Sequence, residues 1–94
     1  MDYQEIRKMS RSDICFYNVA TFKILHPRLY IQKAVVQYFE KSITVRLFYF
    51  DERLNKGLIH NYNFFISSEA IEAENFISLI RNNFPSLPIE TVNE

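Results

Sequence analysis

The stretch Ile43-Thr44-Val45-Arg46-Leu47-Phe48-Tyr49-Phe50, followed by Leu58-Ile59-His60-Asn61-Tyr62-Asn63-Phe64-Phe65-Ile66, decides the fold. Both segments alternate apolar and mixed residues with a period of two, the signature of half-buried strands. Ile43, Val45, Leu47 and Tyr49 form one face of the first. Leu58, His60, Tyr62, Phe64 and Ile66 form the matching face of the second. The two read as an antiparallel hairpin. Matching the apolar faces predicts Ile43 opposite Ile66, Val45 opposite Phe64, Leu47 opposite Tyr62 and Tyr49 opposite His60. The polar connection 51–57 holds Gly57, the single glycine of the chain, and a positive φ is expected there.

Downstream, residues 69–83 predict a helix. Ala70, Ala73, Phe76, Ile77, Ile80 and Phe84 form one stripe. Glu69, Glu72 and Glu74 crowd its start and Arg81 its end, as the helix dipole favours. Ser67 or Ser68 is the expected cap, and Pro85 stops the helix. Residues 89–92 suit a short edge strand. Upstream, 28–41 predicts a helix, with Ile31, Ala34, Val35, Tyr38 and Phe39 at helical spacing and Pro27 at its first turn. A strand over 29–39 is the alternative. Residues 14–25 are rich in β-branched and aromatic types and predict a strand. A helix started at Ser10 or Ser12 and ended at His26 by Pro27 competes with it. Residues 1–12 read as a frayed arm or a short helix carrying Tyr3, Ile6 and Met9. The resulting expectation is one α+β domain over 1–94. It is a two-layer sandwich with helices on one face of an antiparallel sheet, in the ferredoxin-like order βαββα(β).

The chain has 94 residues, 48% of them apolar and 23% charged, with nine Phe and six Tyr. That composition suits a folded domain and argues against disorder. Eleven Lys and Arg balance eleven Asp and Glu, so the formal net charge is zero. A neutral chain is poorly suited to wrapping duplex nucleic acid, where phosphate neutralisation dominates affinity. The balance is uneven: residues 1–50 carry eight bases against four acids, and residues 51–94 carry three against seven. Two faces of opposite sign can result. Cys15 is the single cysteine, so no internal disulfide forms, which fits a reducing compartment. The start of the chain lacks a signal-peptide pattern, and its apolar runs are too short for a membrane span. A cytoplasmic protein with no membrane partner is expected.

The chemistry-bearing residues are sparse. One glycine does not make a phosphate-cradling loop. Cys15, His26 and His60 lack zinc-ligand spacing. A Cys15–His pair would lack an orienting third group. No catalytic residue, metal or cofactor is expected. The distinctive feature is the outward face of the hairpin, where Phe48, Phe50, Ile59 and Phe65 interleave with Thr44, Arg46, Asn61 and Asn63. Aromatic and Arg residues among neutral polar ones match the make-up of binding hot spots. Another segment of the chain could also cover this face as a second core layer.

The reading is therefore a non-enzymatic protein-binding inhibitor. Small size, split charge and the abundance of residues with A/T-rich codons match the general character of bacterial immunity and antitoxin proteins. The suspected partner is a cognate toxin, such as a nuclease. The acids Asp51, Glu52, Glu69, Glu72 and Glu74 would face its basic surface, beside Phe48, Phe50, Ile59, Phe65 and Arg46. Self-association is a further expectation. The alternative is a single-stranded nucleic-acid module stacking bases on Phe48 and Phe50 beside Arg46. A small enzyme ranks third.

Overall fold

A computed structural model describes residues 9–93. The elements run α1 (Arg11–Leu25), β1 (Leu29–Tyr38), β2 (Ser42–Asp51), β3 (Lys56–Phe65), α2 (Ile66–Asn83) and β4 (Ile89–Asn93). The strands form one sheet in the order β3-β2-β1-β4. β1, β2 and β3 make an antiparallel meander, and α2 crosses over to place β4 parallel to β1. The architecture is thus an α+β two-layer sandwich with a mixed sheet. The order is αβββαβ, which replaces the expected ferredoxin-like βαββα(β) and its all-antiparallel sheet.

Two segments exchange their expected identities. Residues 14–25 belong to α1, not to a strand. Ser10 caps this helix, its Oγ accepting the Asp13 N–H at 3.2 Å. His26, held before Pro27, ends it. Ser12, Cys15 and Val19 are buried at helical spacing. The cap and this narrow stripe outweigh the strand preference of the individual side chains. Residues 11 and 12 sit in the first turn of α1, so they are not a separate arm. Residues 1–8 of that expected arm, with Tyr3 and Ile6, lie outside the described residues.

Residues 29–38 form β1, not the expected helix. The register against β2 slips between Ile31 and Lys33, leaving Gln32 as the extra residue of a bulge. Leu29 and Ile31 pack toward the core on one side of the bulge, and Ala34, Val36 and Tyr38 on the other. The slip breaks the period of two. It spaces the inward residues 31, 34 and 38 as a helix would.

The hairpin forms with its faces as read but its register two residues away. Ile43 lies opposite Phe64, Val45 opposite Tyr62, Leu47 opposite His60 and Tyr49 opposite Leu58. Pairing continues to Asp51 and Lys56, so the connection is tighter than 51–57. A shift of two preserves every side chain's face, which is why the apolar match alone did not distinguish the registers. Ile66 leaves the sheet to open α2. Gly57 does not take positive φ; Asn55 does, at 53°. A Cβ at Gly57 would meet the Tyr49 carbonyl oxygen at 3.6 Å, an ordinary contact.

Helix α2 bends at Glu69, whose φ and ψ of −131° and 17° interrupt the helix. The expected Ser67 or Ser68 cap is not formed. The Glu69 carboxylate instead turns back to accept the Phe65 N–H at 3.0 Å. Both helices cover the same sheet face. Phe22 of α1 stacks edge-on against Tyr49 and His60, with centroids 4.9 and 4.5 Å away. Phe76 of α2 packs on Tyr62 and Phe64. Cys15, Val19, Ala73, Phe76, Ile77 and Ile80 close one core over the inward residues of β1 and β2.

Candidate interaction surface

The opposite sheet face carries no element of the described residues. Its side chains fall into rows set by strand register. Tyr30, Phe50 and Gly57 make the first row. Lys33, Phe48 and Ile59 make the second. Val35, Arg46 and Asn61 follow, then Gln37, Thr44 and Asn63. The bulge at Gln32 aligns Lys33 with Phe48, and so places a cation among the rings.

The first two rows are an aromatic and aliphatic cluster. Tyr30 and Phe50 meet edge to face with centroids 5.9 Å apart. Lys33 Nζ stands 5.0 Å over the Phe48 ring and 3.7 Å from the Glu90 carboxylate on β4. Ile59 keeps half of its surface in solvent, and Tyr30 is also exposed. The next two rows are mostly polar, and four of their side chains pair with one another. Arg46 donates to the Gln37 side-chain carbonyl, and the Thr44 hydroxyl donates to Asn63 Oδ1 at 2.7 Å. One end of the face is thus apolar, and the other is a hydrogen-bonded polar lattice.

Of the anticipated binding residues, Phe48, Phe50 and Ile59 come together, and Arg46 adjoins them. Phe65 shares the face but lies beyond the polar rows, opposite Ser42, and is 66% exposed. The acids lie elsewhere. Glu69 pairs with Arg11 at 2.7 Å, and Glu72 accepts the Ser12 N–H at 2.8 Å. The Tyr38 hydroxyl donates to Glu74 at 3.4 Å. These three bind α1 and β1 on the helix side of the molecule. Asp51 accepts the N–H groups of Arg53 and Leu54, shaping the β2–β3 turn. Glu52 lies in that turn and lines a cleft with Arg28, Tyr30 and Arg53. Glu69, Glu72 and Glu74 therefore face away from the aromatic set, whereas Glu52 borders it at Tyr30. Tyr30 and Lys33 belong to the cluster but were hidden in the sequence, because only a strand assignment for 29–38 puts them on this face.

Other groups are structural in their surroundings. Cys15 is buried, and burial pushes its thiol pKa up, against the opposing pull of Arg11. A reactive cysteine needs the opposite shift. His60 packs with Phe22 and Tyr49, and His26 with Phe22. Among the described residues, no group of three or more His, Cys, Asp and Glu could hold a metal ion. No helix among them is long and apolar enough to cross a membrane. Compared with models of protein families, with curated proteins and with solved structures, the chain matches none.

Proposed function

We propose that the protein is a non-enzymatic binding module that docks a protein partner on the open sheet face, acting as an inhibitor of the immunity or antitoxin kind. The observation that carries this reading is the apolar cluster of Tyr30, Phe48, Phe50 and Ile59 on a sheet face that no other element of the described residues packs against, with Tyr30 and Ile59 exposed and Phe48 and Phe50 half-buried. Aromatic residues ringed by polar groups suit a hot spot whose rim excludes water. Arg46, Asn61 and Asn63 supply that rim. A protein partner fits the cluster better than stacked bases do. Base stacking needs free ring faces, whereas Lys33 already covers one face of Phe48 and Tyr30 meets Phe50 edge to face.

Because Glu69, Glu72 and Glu74 are engaged within the fold, apolar contact carries the affinity and the acids contribute at most steering. The test is co-expression with the toxin-like product of an adjacent gene, scored by growth rescue and by binding kinetics. Phe48→Ser should leave the fold intact and weaken binding by about 2 kcal/mol or more. Single-stranded RNA binding with a steep salt dependence, lost in Arg46→Glu, would overturn the reading.

A further inference from the structure

The two edges of the sheet are finished differently. β4 is five residues long, follows Pro88, and carries Glu90 paired with Lys33. Such short, charged, proline-flanked edges resist pairing with another chain. β3 is ten residues long, and its register against β2 is unbroken by any bulge. From Gly57 to Asn63 it contains no proline and no charged residue.

The outward backbone groups of β3 can be identified. The Ile66 N–H donates to the Lys41 carbonyl, continuing the ladder with β2. In an antiparallel ladder the bonding direction alternates. Even-numbered residues of β3 therefore face β2, and odd-numbered ones face outward. Two outward groups at the far end are already taken. Arg11 donates to the Asn63 carbonyl at 3.0 Å, and Glu69 accepts the Phe65 N–H. Gly57, Ile59 and Asn61 keep both their N–H and C=O groups unpaired among the described residues. The same stretch leaves Leu58 41% exposed on the helix side and Ile59 50% exposed on the open side. A lone edge strand thus wets apolar side chains on both its faces.

We infer that a second copy of this chain pairs antiparallel along this edge, about a two-fold axis at Ile59, joining the two sheets into one. The Arg11 and Glu69 caps disfavour a centre further along the strand, where the pairing would run onto groups already bonded. A centre at Ile59 uses the free groups of Gly57, Ile59 and Asn61 and forms about six main-chain hydrogen bonds. The side chains are self-complementary in this register. Ile59 meets its own copy, Asn61 lies over the partner's Gly57, and Leu58 meets the partner's His60 on the other face. No like charges oppose each other, and zero net charge leaves no overall repulsion between copies. The apolar ends of the two open faces become continuous across the axis. This pairing stands whether or not a toxin docks on the open face.

Sedimentation equilibrium and light scattering across micromolar to millimolar protein test it. A concentration-dependent dimer is expected, and a monomer throughout would overturn the inference. Ile59→Lys places two ammonium groups face to face and should weaken the dimer at least about tenfold, with the circular dichroism spectrum unchanged. A dimer indifferent to it would place the interface elsewhere. Disulfide trapping reads the register without depending on that variant. Paired Cα atoms at the axis lie about 5.5 Å apart, within disulfide reach. Ile59→Cys, with the buried Cys15 kept, should cross-link on mild oxidation far faster than Asn61→Cys. Equal or reversed rates would overturn the two-fold at Ile59.

Discussion

The two faces of β2 share one backbone and meet opposite fates. Ile43, Val45, Leu47 and Tyr49 point to the helices and are almost wholly buried, while Phe48 and Phe50 point away and are only partly covered. Composition does not separate them, since the outward set is as aromatic as the inward one. What separates them is where α1 and α2 land. Large apolar residues on both faces of a strand usually imply layers on both sides. Here the described residues supply a single layer, and the second face is the surface from which a binding role is inferred.

Breaking the covered face should have the largest effect. Val45 is fully buried in the apolar core, with no cationic residue among the buried side chains. Val45→Asp leaves an uncompensated buried carboxylate, which costs about 3–5 kcal/mol. A domain of this size has only about 5–14 kcal/mol of total stability. Thermal melting should show a very large loss or no folded protein, whereas Phe48→Ser on the other face should shift the melting temperature by only a few degrees. A Phe48→Ser loss equal to that of Val45→Asp would show that the outward face is a second core layer.

Alkaline pH attacks the same covered face by another route. Burial pushes the Tyr62 hydroxyl up to about 12 and that of Tyr49 higher still. In the unfolded chain both titrate near 10. Above that pH the unfolded state gives up its phenolic protons while the folded state keeps them. The stability contributed by these two tyrosines is therefore intact below about pH 10 and falls as pH rises toward 12, by about 1.4 kcal/mol per pH unit for each. Denaturant midpoints measured at pH 9, 10 and 11 check the slope, and Tyr49→Phe should roughly halve it.

The smallest effect is a gain. The Tyr49 hydroxyl is buried without a hydrogen-bond partner among the described residues. Deleting an unsatisfied buried polar group while keeping the ring removes a desolvation penalty. Tyr49→Phe should stabilise the protein by about 1 kcal/mol near neutral pH, read as a raised denaturant midpoint at constant slope. Its effect sharpens the contrast between faces, because the Tyr30 hydroxyl sits on an exposed residue and Tyr30→Phe should be neutral.

Some of this was legible residue by residue. Period-two alternation located β2 and β3, and the stripe Ala73–Phe76–Ile77–Ile80 located α2, because each signal is local and repeated. The outward placement of Phe48, Phe50 and Ile59 followed directly. Tyr30 and Lys33 did not, since a bulge at Gln32 disguises β1 as a helix. The acids offered as a docking patch were sorted by packing. Glu69 and Glu72 reach α1 across about 60 residues of sequence, a distance over which spacing carries no information.

By itself the sequence determined the class of the chain, the α+β content, the hairpin and its faces, because hydrophobic period and caps act over a few residues. It also determined the charge neutrality that permits two copies to approach. Only the tertiary structure decided that residues 14–25 are helical while 29–38 extend, a choice made by what each buries rather than by propensity. It also decided the register, since shifts of two are degenerate in face. Finally it decided which sheet face and which edge the described residues leave open, since both depend on where α2 carries the chain after β3. A crossover that sets β4 beside β1 closes one edge, and the other is left to β3.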